Sequence, residues 1–125
     1  MTALEILLGG NKIEKRQERK VKVKRLDLVF TLQSLGYNRV AEIRKLGDER
    51  VPLHTLLAGC VDPDFKSAAL QDKYQAATPA ETITNLLLPG EIEDLSREIE
   101  KLSGYRAITI EQIKKKSKTE TQNSD

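Results

Sequence analysis

The chain has almost none of the side chains that covalent chemistry usually requires. Its 125 residues include one His, one Cys and no Trp. A nucleophile with its base, or a metal cluster, needs several such groups converging in one cleft. Hydrolase, transferase and structural zinc chemistry are therefore poorly served. A lone Cys60 cannot close an intramolecular disulfide, so nothing in cysteine usage points to an oxidising compartment. Apolar runs are short too: none approaches the roughly 18 residues of a membrane-crossing helix, and residues 1–10 lack the basic start of a secretory signal. The expectation is a cytoplasmic chain, neither exported nor anchored, that works by association without catalysis, cofactor or metal.

Aromatic residues make up only 4% of the chain, so its core has to be built from 17 Leu and 9 Ile. Such a core favours helices, and the length suits one domain. A formal charge of +2 with 32% charged residues describes a surface of mixed sign, not a nucleic-acid binder by bulk composition.

Thr2 can cap a short helix carrying Leu4, Leu7 and Leu8 on one face, ended by Gly9-Gly10. The segment 11–20 is rich in Lys and Arg and reads as a solvated linker. Val21 and Val23 then alternate with lysines, and Leu28, Phe30 and Leu32 alternate with Val29, Thr31 and Gln33. This period of two predicts a β-hairpin turning near Leu26-Asp27, although Leu is a poor residue for the positive φ of a two-residue turn. A hairpin alone is marginal in water, so Phe30 must pack on helices.

Tyr37, Val40, Ile43 or Arg44, and Leu46 recur at helical spacing up to Gly47. Pro52 suits the first turn of a helix whose apolar face is Leu53, Leu56, Leu57, Cys60 and Val61. Asp62-Pro63-Asp64 stops it. Ser67 caps a short helix, and Thr78-Pro79-Ala80-Glu81 opens another with cap, proline and glutamate in register. Pro89-Gly90 breaks that one before a final helix carrying Ile92, Leu95, Ile99 and Leu102, with Gly104 as its terminator. The predicted fold is α+β and predominantly α-helical, an N-terminal β-hairpin packed on a bundle of short helices. Its predicted parts are an N-terminal helix and basic linker over 1–20, a single domain over 21–105 and a partly disordered tail over 106–125.

Each feature that resembles a chemical site has a plainer reading. On a continuous helix, His54 and Cys60 would be about 600° apart in rotation and point to different sides. Cys60 then reads as a small core residue. Asp62 and Asp64 lack the further oxygen ligands, central Gly and closing Glu of a calcium loop. Gly9-Gly10 lacks the Lys-Ser/Thr of a phosphate loop. Residues 12–25 hold eight Lys or Arg against two Glu. A basic ribbon of this kind can enter a nucleic-acid groove, but no aromatic residues are interleaved, and lysines on a strand edge also discourage aggregation. Lys114-Lys115-Lys116 reads likewise as a solvated run. A small nucleic-acid-binding module using the hairpin is the alternative reading.

Association points to the ends of the chain. Leu4, Leu7 and Leu8 at one end, and Ile108, Ile110 and Ile113 at the other, are aliphatic residues whose flanks do not tie them to a core. These six are the candidate partner-binding residues.

The order of boundary signals is itself specific. Leu28-Val29-Phe30-Thr31-Leu32, Cys60-Val61-Asp62-Pro63-Asp64, Thr78-Pro79-Ala80-Glu81, Leu87-Leu88-Pro89-Gly90-Glu91-Ile92 and Leu102-Ser103-Gly104-Tyr105 together resemble the XkdN-like phage tail assembly chaperones, over about residues 2 to 105. The resemblance implies a non-catalytic role in phage or prophage tail building. Its implied partner is the tape measure protein, a long helical chain kept soluble until the tail tube forms, with the major tail protein as a second candidate. None of the matched motifs names a contact residue.

Overall fold

The computed structural model describes residues 1–10, 13–106 and 108–113. Among them lie six helices, α1 (Ala3–Leu7), α2 (Tyr37–Arg44), α3 (Val51–Gly59), α4 (Ala68–Lys73), α5 (Pro79–Leu86) and α6 (Pro89–Leu102). The strands are β1 (Glu18–Val23), β2 (Leu28–Gln33) and β3 (Cys60–Asp62), in one antiparallel sheet of order β1-β2-β3. The fold is α+β, as expected. The tail run Lys114-Lys115-Lys116 and the rest of the expected tail from 114 to 125 lie outside the described residues.

β1 pairs with β2 in the register Val21↔Phe30 and Val23↔Leu28, which leaves a four-residue loop over 24–27. Asp27 takes the left-handed position at φ 55°. An Asp side chain tolerates that region where Leu would not, so Leu26 is spared the strained conformation. β1 starts at Glu18, three residues before the expected Val21. Leu28, expected on the core side with Phe30, sits at the last pair before the turn and stays half exposed.

The third strand corrects the sequence reading. The apolar run through Cys60 and Val61 is not the end of the buried helix: α3 stops at Gly59, and Cys60 turns extended at φ −94°, ψ 116°. Its backbone joins the outer side of β2, with Leu32↔Cys60 and Thr31↔Asp62 separated by an irregularity in register. A short apolar run fits helix and strand alike by periodicity. What decides here is the free side of β2, whose polar groups find partners in β3. The Asp62-Pro63 peptide that follows is cis.

The core is continuous. Phe30 and Leu32 from the sheet, Leu56 from α3, Ile83 from α5 and Ile99 from α6 are fully buried, and Val23, Leu87 and Leu95 close around them. Phe65, in the loop after β3, packs its ring 6.0 Å from Phe30 at 58°, a geometry that aromatic pairs favour. On α2 the expected face is only partly used, since Ile43 is buried while Tyr37 is exposed.

The caps at Ser67 and Thr78 and the terminator Gly104 act as predicted, whereas Pro89 and Gly90 are the first residues of α6 and not a break before it. Ser67 Oγ accepts the Leu70 N–H at 3.3 Å and Thr78 Oγ1 accepts the Glu81 N–H at 3.1 Å. The Glu81 carboxylate reaches back one residue further than a standard box, to the Ala77 N–H. At the far end of α6, Gly104 at φ 97° lets the Tyr105 N–H reach the Glu100 carbonyl at 2.8 Å and its own N–H reach Lys101 at 3.0 Å. Those two bonds satisfy carbonyls that a helix end otherwise leaves open.

Candidate interaction surfaces

The residues with chemical potential are held in structural roles. Cys60 packs against the core and its thiol donates to the Pro63 carbonyl at 3.4 Å. Burial, reinforced by the Asp62 carboxylate, pushes its pKa up to about 12, so little nucleophilic thiolate forms near neutrality. His54 lies elsewhere, in a shallow hollow with Arg39, Glu42, Ile43, Leu46 and Leu57 between α2 and α3. Asp64 accepts the Lys66 N–H at 3.0 Å, a turn contact. Among the described residues no three His, Cys, Asp or Glu side chains gather in a way that would hold a metal ion.

Within the basic run, Arg19 and Arg25 reach acidic side chains of α6, and Lys22 and Lys24 also line the trough on that side. Arg19 Nη1 donates to Glu98 Oε1 at 2.8 Å. Arg25 makes a two-pronged contact with Glu91, at 2.9 and 2.8 Å, and also donates to the Leu86 carbonyl at 2.8 Å. Glu91 additionally accepts the Leu88 N–H at 2.7 Å, so one carboxylate fastens the hairpin tip and the start of α6 together. Its pKa is lowered chiefly by Arg25. The same arrangement lowers Glu98, with Arg19 as the main cause. Two of the strongest cations in the run are therefore engaged within the fold. Lys22 pairs with Asp27 at 2.7 Å and Lys20 donates to Thr31 at 3.3 Å.

Between β1 and α6 lies an open trough of about 760 Å³. Its charged walls pair internally through Arg25–Glu91, Arg97–Asp94 and Lys101–Glu98.

The six candidate partner-binding residues are all strongly exposed. Leu4, Leu7 and Leu8 are 65–74% accessible and Ile108, Ile110 and Ile113 are 82–94%. Helix α1 is held by its own capping box, with Glu5 Oε1 accepting the Thr2 N–H at 2.7 Å and Thr2 Oγ1 accepting the Glu5 N–H at 3.2 Å. It buries no residue. Ile6 and Ile13 belong to the same exposed series and were missed by a reading confined to one helix face. Exposed large hydrophobic residues also occur on the body, among them Val29, Tyr37 and Leu88.

Residues 4–118 match a family model described as the phage XkdN-like tail assembly chaperone protein. That span runs past Tyr105, where the resemblance in the sequence ended, and takes in both groups of exposed aliphatics. The fold is similar to the crystal structure of the protein yqbn, with a TM-score of 0.64 and 20% identity over 75% of this chain and 90% of that one. No curated protein matches the chain.

Proposed function

The chain belongs to the phage XkdN-like tail assembly chaperone family, and from that premise we propose that it binds the tape measure protein during tail assembly and keeps it soluble until the tube forms. The observation that carries the reading is the exposure of Leu4, Leu7, Leu8, Ile108, Ile110 and Ile113 on segments within the family's span. A long amphipathic chain without its tube presents apolar stripes. A small protein in many copies can cover them and later leave.

In this reading the protein acts by association in the host cytoplasm, with no cofactor and no catalytic step. Residues 21–105 serve as the folded body, and the segments on either side carry the contacts. The major tail protein is a second candidate partner. Among the described residues no helix is long and apolar enough to cross a membrane. Co-expression with the tape measure protein tests the proposal. The soluble fraction of that partner is expected to rise, and a partner equally insoluble with and without this chain would sink the idea. The nucleic-acid alternative requires a free basic surface, and the engagement of Arg19 and Arg25 by α6 weighs against it.

A further inference from the structure

We propose that the outer edge of β1, with the flank of α6 beside it, is a docking groove for an extended segment of a partner protein, which adds as a fourth strand antiparallel to β1 and carries acidic side chains at its N-terminal end. The groove is separate from the exposed aliphatics at the chain ends and does not depend on the identity of the tail partner.

β1 closes one side of the sheet and pairs only with β2. The Gln17 carbonyl accepts the Ser34 N–H at 2.8 Å, which sets the phase of the ladder. In an antiparallel pair, bonded and non-bonded residues alternate. Arg19, Val21 and Val23 therefore turn their N–H and C=O groups towards β2, and Glu18, Lys20 and Lys22 turn theirs outward. The edge is six residues long, about 20 Å. Added strands take affinity from such main-chain groups and specificity from alternate side chains.

The open trough meets β1 along this edge. Val21, Lys22 and Val23 all line it, although successive strand residues point to opposite faces of a sheet. A hollow that touches three in a row borders the backbone and not one face. Across from them stand Asp94, Arg97 and Lys101 on one flank of α6, with Leu95 and Val21 as apolar lining. Its volume of about 760 Å³ falls within the range of ligand-binding clefts, roughly 300–1,000 Å³.

Charge selects the occupant. The lining holds five cations against three acids. Each acid is paired with a lining cation, Glu91 with Arg25, Asp94 with Arg97 and Glu98 with Lys101. Lys24 is left over, with no ion pair among the described residues. Lys22 pairs with Asp27, but their side chains are 59% and 80% exposed, where such a pair is weak. The surplus therefore sits at the hairpin tip, where an antiparallel occupant brings its N-terminal end. A second copy of β1 centred antiparallel on the same edge puts lysine opposite lysine, so it is the poorer occupant.

The test uses the full chain and short fluorescein-labelled peptides in which Val or Thr alternates with polar residues, with Glu at the N-terminal end, at the C-terminal end or nowhere. Anisotropy is expected to show tightest binding for the N-terminally acidic set. Amide exchange read by NMR should then slow about tenfold or more at Lys20 and Lys22, while Arg19 and Val21, already bonded to β2, change little. Lys20→Pro removes one outward N–H and leaves the ladder to β2 in place, so binding should weaken about tenfold. Lys24→Glu, in the exposed loop, reads the site even if Lys20→Pro unfolds on heating earlier than the parent. It should weaken the acidic peptides about fivefold and favour their Lys-for-Glu counterparts. Unslowed exchange at Lys20 and Lys22, full affinity in a folded Lys20→Pro, or no extended peptide that binds would each overturn strand addition. A preference for an amphipathic helical peptide would overturn it too, and self-association abolished by Lys20→Pro would assign the edge to a second copy instead. None of these failures touches the tail-chaperone reading, because co-expression with the tape measure protein does not require this edge.

Discussion

Gly59 is a point of close approach between α3 and α6, and it shows how one residue sets the spacing of the core. A Cβ there would stand 2.7 Å from Ile99 Cδ1 and 2.8 Å from Cγ2, and Ile99 is fully buried, so its side chain would have to shift within the core. Gly59→Ala gains about 1 kcal/mol in helix preference but forces an overpacked contact costing about 1–3 kcal/mol. A net loss of stability is expected in urea unfolding. Combining it with Ile99→Val, which removes the nearer methyl, should cost less than the sum of the two changes; strict additivity would show that the helices do not meet there. Cys60 offers a second check at this scale. With its thiol pKa raised to about 12 by burial, it should react slowly with a thiol reagent at pH 8 and rapidly in denaturant. Equal rates would place it at the surface.

At the level of elements, α6 organises the fold. Its apolar residues Ile92, Leu95, Ile99 and Leu102 recur every three or four positions, and the stripe lies against α3 and the sheet. Leu95→Ala and Ile99→Ala should each destabilise by about 2–5 kcal/mol, read from denaturant midpoints. Near-neutral values at both would mean that this face is open to a partner instead. The same helix explains what could be read from the chain in advance. Caps, prolines and Gly104 act through neighbours within five residues, so Thr78, Ser67 and the end of α6 were legible. Phe65, Gly59 and β3 were not, because each is defined by a distant element: Phe65 by Phe30, Gly59 by Ile99, and Cys60–Asp62 by the free side of β2. The exposed leucines and isoleucines at the ends were legible for the opposite reason, since no flanking pattern gave them a core to join.

For the whole molecule, charge placement ties the sheet to the last helix at both ends, through Arg25–Glu91 near the hairpin tip and Arg19–Glu98 towards the end of α6. Both carboxylates are held below their ordinary range, Glu91 chiefly by Arg25 and Glu98 chiefly by Arg19. A carboxylate whose folded pKa is depressed stabilises the fold fully above its unfolded value, about 4.3. That stability is lost as pH falls through the lower, folded value. The melting temperature should accordingly stay level from about pH 7 to pH 5 and then fall below about pH 4.5. Glu5 is also lowered, by its bonds to Thr2, but it serves only α1, which buries nothing, and so should not contribute to that fall. Glu91→Gln combined with Glu98→Gln keeps shape and removes charge. The variant should melt lower at pH 7 and lose less on acidification, so that its curve converges with the parent's in acid. Parallel curves across the range would assign the acid sensitivity to other groups and leave the two arginine contacts as surface decoration on a body held by its core alone.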